Sequence, residues 1–236
     1  MRNYLIFNGN DSRDYGVYIT GTGTYSAPER AQEMISVPGR NGNLIGTETR
    51  FENIEVTYPA FIYSNFNQNI QDFRNMLLAN RGYFELSDSY HTDEYRMATY
   101  IGAFEPEVTA MHDAGSFELI FNCKPQRFLN SGNTPIQLIA SRSINNPTLF
   151  PSNPLIRVVG QGTFYIGTTA ITITNPGTAY VDIDCDMQDC FYGTQNLNDK
   201  VAFSGYKFPV LNPGNNGITF GTGISSITIT PRWWRI

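Results

Sequence analysis

The sequence predicts a mainly β chain built as two units, the first carrying a single helix and the second an antiparallel sandwich. Three observations point there. Single alternation of apolar residues, the period of a half-buried strand, recurs along many short runs, as in Ile54, Val56 and Tyr58. Turn formers punctuate the second half at intervals of about 8–12 residues, the cadence of a sandwich. Only one window has helical spacing: Phe66, Ile70, Phe73 and Leu77 recur at i, i+4, i+7 and i+11.

The elements follow in order. Tyr4 to Phe7 reads as a strand, Asn8-Gly9-Asn10-Asp11 as a tight turn, and Tyr15 to Thr20 as a second extended run. Residues 25–42 are rich in turn formers. Within them Pro38-Gly39 fits a type II turn, because proline presets φ and glycine accepts a positive φ. Phe51 to Tyr63 is a strand. The helix after it has capping chemistry in Asn67 and Asn69 and a stop at Gly82, behind Asn80-Arg81. Three strands come next, Gly82 to Leu86, Tyr95 to Phe104 and Gly115 to Cys123, the last two joined by a hairpin or loop over 105–114.

Composition changes at Lys124-Pro125-Gln126-Arg127, and the expected boundaries are 1–127, a connection over 128–153, and 154–236. The connection has room for a short strand at Ile136 to Ala140, and its part 135–153 can pack with the second domain. Beyond it the strand candidates are Leu155 to Gly160, Thr163 to Ile166, Thr169 to Thr174, Ala179 to Asp184, Phe191-Tyr192, Val201 to Phe203, Gly217 to Phe220 and Ser225 to Trp234.

Composition narrows the function. Only 16% of the 236 residues are charged, while 14% are aromatic, so a core is available and the surface is weakly charged. Such chains suit large contacts with other proteins better than housekeeping catalysis. No apolar run is long enough to span a membrane or to serve as a signal peptide. A net charge of −5 without a Lys/Arg cluster argues against sequence-specific nucleic-acid binding, which needs cations against phosphates. The charge is unevenly spread. Residues 1–127 hold 10 Lys and Arg against 16 Asp and Glu, and the rest hold 6 against 5.

No catalytic, cofactor or metal site emerges. Cys123, Cys185 and Cys190 have no zinc-ligand spacing and are expected to be buried free thiols. The run Asp182-Ile183-Asp184-Cys185-Asp186-Met187-Gln188-Asp189 fails the EF-hand pattern, with Met187 where glycine is needed and Gly193 where glutamate is needed. It is expected to be a strand with Val181, Ile183 and Cys185 inward and the carboxylates facing solvent, an adventitious Ca2+ site being the lesser alternative. There is no Gly-x-Ser-x-Gly elbow, and His91 and His112 are expected to be solvated loop residues. Pro231-Arg232-Trp233-Trp234 holds both tryptophans. Adjacent strand residues face opposite ways, so one Trp is expected in the core and the other at an interface or domain contact.

The order of motifs carries a resemblance. Phe7-Asn8-Gly9, Ser12, Asp14-Tyr15-Gly16-Val17, Ala27-Pro28-Glu29-Arg30 and Val37-Pro38-Gly39-Arg40-Asn41-Gly42-Asn43-Leu44 come first. Phe73-Arg74, Tyr95-Arg96, Phe121-Asn122-Cys123-Lys124-Pro125 and Asn153-Pro154-Leu155-Ile156 follow, then Leu211-Asn212-Pro213-Gly214-Asn215-Asn216 and Ile229-Thr230-Pro231-Arg232-Trp233-Trp234. The ordered set spans nearly the whole chain and resembles the distal tail proteins (Dit) of long non-contractile tailed phages and prophages of Gram-positive bacteria.

The resemblance implies a structural virion protein of the tail tip, with no enzymatic activity. In that family a β-sandwich or barrel-like N-terminal domain with one helix and a β-hairpin forms a homohexameric ring, and two rings can stack back to back. A galectin-like or carbohydrate-binding-module-like sandwich projects outward. The partners it implies are the major tail tube protein, the tail-associated hub protein, the tape measure protein and baseplate or receptor-binding proteins.

Candidate ring contacts are Pro28, Glu29, Arg30, Val37, Pro38, Gly39, Arg40, Asn41, Gly42 and Leu44, because a closed ring needs a head-to-tail surface. An acidic first half suits a lumen that repels passing DNA, with Glu48, Glu52, Glu105, Glu107 and Asp113 as candidate lining. Pro231, Arg232, Trp233 and Trp234 are the candidate C-terminal anchor. The rival reading is a free carbohydrate-binding module or lectin with a platform at Trp233 or Trp234. A small cell-wall hydrolase is disfavoured by the lack of a nucleophile or acid pair.

Overall fold

The structure, a computed structural model, describes residues 2–21, 23–46, 50–79, 81–108 and 113–236. The chain divides into two compact units, residues 1–127 together with Ile236, and Phe128–Arg235.

In the first unit one sheet runs in the order Asn10–Asp11, Leu5–Phe7, Phe84–Asp88, Glu94–Tyr100, Gly115–Leu129, Ile54–Ile62, Val17–Ile19, with Glu107–Val108 beside Gly115–Leu129. Asn8 and Gly9, both at positive φ, form the two-residue loop that pairs Phe7 with Asn10. Asn3 bridges Ile19, which links the strand near one end of the order to the strand at the other, so the sheet curls toward a barrel. Ile54–Ile62 shows why the register is fixed. Its even positions (Ile54, Val56, Tyr58, Ala60, Ile62) form the core face, and a one-residue slip would turn that face to solvent.

The helix spans Phe66–Leu78 and buries Phe66, Phe73 and Leu77, with Ile70 partly covered. Its capping differs from expectation. Asn67 and Asn69 lie inside the first turn, and the residue at the cap position is Asn65, left-handed and without a side-chain cap bond. Asp113 supplies the acceptors instead: its Oδ1 takes the Asn65 N–H (3.0 Å) and its carbonyl the Phe66 N–H (3.3 Å). Asn69 donates to the Ser64 carbonyl (3.2 Å). The helix closes at Ala79 in a right-handed conformation, so Gly82 stands past the end rather than in the cap, and Asn80 lies outside the described residues.

The second unit is a sandwich. One sheet runs Ile136–Leu138, Ile224–Thr230, Leu155–Gly160, Val181–Asp184, Asp189–Tyr192, Gln195–Asn196. The other runs Arg142–Asn146, Gly214–Thr219, Gly162–Ile166, Thr169–Ile173, Val201–Phe203. Inward residues of both sheets, among them Ile156, Phe164, Ile183 and Ile227, join in one apolar cluster.

The segment 128–153, read as a connection with room for a short strand, belongs to the second unit. Ile136–Leu138 pairs with Ile229 to Ile227, and Arg142–Asn146 pairs with Ile218 to Gly214, so this segment supplies a strand to each sheet. Its Asn and Ser residues looked like loop composition because they serve as buried hydrogen-bonding groups. Asn146 donates to the carbonyls of Phe150 and Leu211 and accepts from Thr148, and Ser152 donates to Pro231.

The same segment fixes the C-terminal run. Leu129 N–H reaches the Trp233 carbonyl (2.9 Å), and Arg232 N–H reaches the Gly132 carbonyl (2.8 Å). Gly132 is required by this approach, since an added Cβ would collide with the Trp233 backbone. Trp233 is buried in the core. Trp234 stacks on Phe150 (centroids 4.5 Å, planes 21° apart) and donates its indole N–H to the Pro151 carbonyl.

Candidate functional site

Residues 29–46 and 50–52 belong to an exposed arm. Its root is zipped by backbone bonds from Glu52 to Glu29, Ala31 to Arg50 and Gly46 to Glu33, and the Arg30 guanidinium lies over the Phe51 ring at 4.3 Å. Beyond the root Met34–Ser36 pairs with Asn43–Ile45. The tip turns at Val37-Pro38-Gly39-Arg40: the Arg40 N–H meets the Val37 carbonyl (3.2 Å) and Gly39 sits at φ 80, the type II geometry expected.

All six strand residues are exposed, including Met34 at 57% and Ile45 at 62%. Ile35 opposes Leu44 on one face of the ribbon, and Met34 opposes Ile45 on the other. A lone two-stranded hairpin is marginal in water, and here neither face meets a core. The arm therefore carries Glu29, Arg30, Pro38, Gly39, Arg40, Asn41, Gly42 and Leu44 in the open, with Pro28 and Val37 half-buried. Met34, Ile35 and Ile45 were missed from the sequence. The signal was two short apolar runs flanking the Pro38-Gly39 turn, which read as loop because neither run alternates.

The lining candidates separate. Glu105 and Glu107 lie together with Glu118, which the sequence did not single out, along a groove of about 770 Å3 floored by Phe61, Phe117 and Ile120. Among the described residues no Lys or Arg lines it. Glu52 sits apart at the arm root, paired with Arg50 (3.1 Å). Asp113 is committed to the helix start. Glu48 lies outside the described residues.

In the second unit the expectation of outward, solvated carboxylates is corrected. Asp182 and Asp184 are both buried, each held by an arginine fork. Arg157 binds Asp182 at 2.7 and 2.8 Å, and Arg232 binds Asp184 at 2.7 and 2.8 Å. The sequence concealed this because each partner comes from a distant part of the chain, Arg157 from the strand Leu155–Gly160 and Arg232 from the stretch after Thr230. Arg157 also lies over the Tyr180 ring at 4.0 Å.

Burial alone would raise the Asp184 carboxyl. The Arg232 fork, with the Met187 and Asp186 amides, outweighs it and holds the group below its ordinary 3.8. A carboxyl with a depressed folded value contributes stability in full above its unfolded value and loses it as pH falls through the folded one. The melting temperature of the second unit is therefore expected to fall as pH drops below 3.8, and Asp184→Asn to flatten that dependence, as thermal melts between pH 2 and 6 would read.

The remaining candidates are structural. His91 is half-buried, with its Nδ1 3.3 Å from Asp88 and its ring edge-on to Tyr25, which corrects the expectation of a solvated side chain. His112 lies outside the described residues. The three thiols are free and buried, and burial pushes Cys123 up to about 11, Cys190 to about 12 and Cys185 higher still, away from the reactive thiolate. Among the described residues no group of three or more His, Cys, Asp or Glu is placed to hold a metal, and no helix is long and apolar enough to cross a membrane.

The fold, a curled sheet with one helix followed by a two-sheet sandwich, is Dit-like. Over 100% of both chains the structure is similar to the Dit protein of phage SPP1, described as a paradigm of the hub adsorption apparatus in phages infecting Gram-positive bacteria, with a TM-score of 0.73 and 13% identity. It is also similar to a chain of the phage p2 baseplate in its activated conformation with calcium (TM-score 0.56, 13% identity, 97% of each chain). The strontium form of that baseplate gives the same TM-score at 14% identity, over 100% of this chain and 98% of the other. The sequence matches no protein-family model and no curated protein.

Proposed function

We propose that this chain is a phage tail-tip hub protein that acts by assembly and not by catalysis. The observation that carries the reading is the bare arm on a chain whose whole length has the Dit fold: both apolar faces of its strands lie open, which suits a surface covered by a neighbour. In this reading six copies form a ring, head to tail, with the arm of each docked on the next. The ring joins the tail tube to the hub and baseplate proteins below and surrounds the path of the DNA. The acidic balance of residues 1–127 supports a lumen that repels the polyanion, with some of Glu48, Glu52, Glu105, Glu107 and Asp113 as its proposed lining. A ring whose lumen is net basic would overturn that part.

The C-terminal Arg232, Trp233 and Trp234 anchor their own sandwich in the single chain. That weakens the lectin alternative, whose aromatic platform was placed there.

Light scattering tests the central claim. A six- or twelve-fold multiple of 26.5 kDa supports the hub, and a monomer with glycan affinity supports the lectin. Arg40 stands exposed at the arm tip, and Arg40→Glu is expected to lower the assembled fraction while the melting temperature stays within about a degree, since isolated surface exchanges cost about 0.5 kcal/mol or less.

A further inference from the structure

The first unit carries apolar groups on the outer face of its sheet, where polar ones are usual. Phe61 and Ile120 stand on the pleats of Ile54–Ile62 and Gly115–Leu129 that alternate with the buried residues, and Phe61 pairs with Ser116 across the two strands. The N–H groups of Ile101 and Gly102 both reach the Ile120 carbonyl (3.2 Å), and the segment that follows brings Ala103, Glu105 and Glu107 alongside. The outer face is thereby walled into the groove of about 770 Å3 that Phe61, Phe117 and Ile120 floor.

Its carboxylates are uncommitted. Glu105, Glu107 and Glu118 are exposed, and none of their side chains has a hydrogen bond or ion pair among the described residues. Like charges gathered on one groove repel one another, and a cation seated among them is attracted by all three.

The arm has the complementary chemistry. From Met34 to Ile45 its only charged residue is Arg40, whose side chain is exposed and has no partner among the described residues. Met34, Ile35, Leu44 and Ile45 stand exposed behind it. An apolar ribbon headed by one cation suits an apolar floor flanked by carboxylates. No residue of the arm lines the groove of its own chain, so an arm that fills it comes from another copy.

Resting on the reading of the arm as a ring contact, we infer that this groove seats the arm of the neighbouring copy, with its Arg40 among Glu105, Glu107 and Glu118. An arm and a groove on the same chain make the head-to-tail contact that a closed ring requires. Glu105 and Glu107 then belong to the junction between copies and not to the channel.

Charge reversal tests it, with assembly followed by light scattering over a range of protein concentrations. Glu105→Arg, Glu107→Arg and Glu118→Arg are each made alone and together with Arg40→Glu. Reversing one partner of a close charge pair is expected to raise the concentration for half-assembly about tenfold or more. Joining Arg40→Glu to the groove reversal that faces it is expected to recover most of that loss, which a merely structural role would not give. All four side chains are exposed, so the variants are expected to fold. Groove reversals that all assemble like the unaltered protein, the behaviour of carboxylates lining the channel or meeting a different partner, would overturn the seat. So would the lack of recovery in every combination. An unaltered protein that stays monomeric would overturn the hub reading itself, and the seat with it, so the two failures are distinguishable.

Discussion

Exchanging Ile35 and Leu44 together for aspartate is expected to convert the assembled protein to a monomer that remains folded. The two side chains oppose each other across the ribbon and share one of its faces. In the single chain both are exposed, so their loss removes little from the fold. Covered by a neighbour, their remaining exposure of 43% and 39% is worth about 0.6–1.3 kcal/mol each, and the pair about 1–3 kcal/mol per interface. That is roughly a 10- to 10²-fold weaker association at every junction of a ring. Two carboxylates forced into an apolar contact add a desolvation cost. The matching pair on the opposite face, Met34 and Ile45, tests whether one face or both are covered. Sedimentation or light scattering reads the outcome, and a double variant with the oligomer mass of the unaltered protein would refute docking through this face.

Arg232→Met is expected to destabilise the second unit by about 3 kcal/mol, near the lower end of what leaving a buried charge unpaired costs, because the Arg232 side chain is still about a quarter exposed. For a unit of this size the melting temperature would fall by about 10 °C. The substitution removes both hydrogen bonds of the fork and leaves Asp184 with only the Asp186 and Met187 amides. Asp184→Asn should cost less, since an amide oxygen can still take the two turn N–H groups. Calorimetry on both variants checks the order, and an Arg232→Met protein melting within 2 °C of the unaltered chain would sink the account of the fork.

Much of the strand order along the chain was readable from residue pattern alone. Ile54–Ile62 alternates so regularly that its core face is plain in the sequence, and the helix shows itself by the spacing of Phe66, Phe73 and Leu77. The Pro38-Gly39 turn was legible because each residue restricts φ by its own covalent structure. Other features were not. The helix cap is Asp113, far along the chain, and nothing local to Asn65 announces it. Residues 128–153 have loop composition yet supply two strands, because their Asn, Ser and Thr hydrogen bonds are made inside the sandwich. Asp182 and Asp184 read as solvated because their arginines lie 25 and 48 residues away along the chain.

The sequence by itself determined the fold class, the single helix, the acidic bias of the first half and the absence of a catalytic motif. All of these depend on residues within a turn or two of one another, or on composition. Only the tertiary structure decided which charges are buried and paired, which apolar residues stay uncovered on the arm, and that Glu105, Glu107 and Glu118 gather at one groove. Burial and pairing are properties of surfaces brought together from distant parts of the chain, and local pattern carries no record of which surfaces meet.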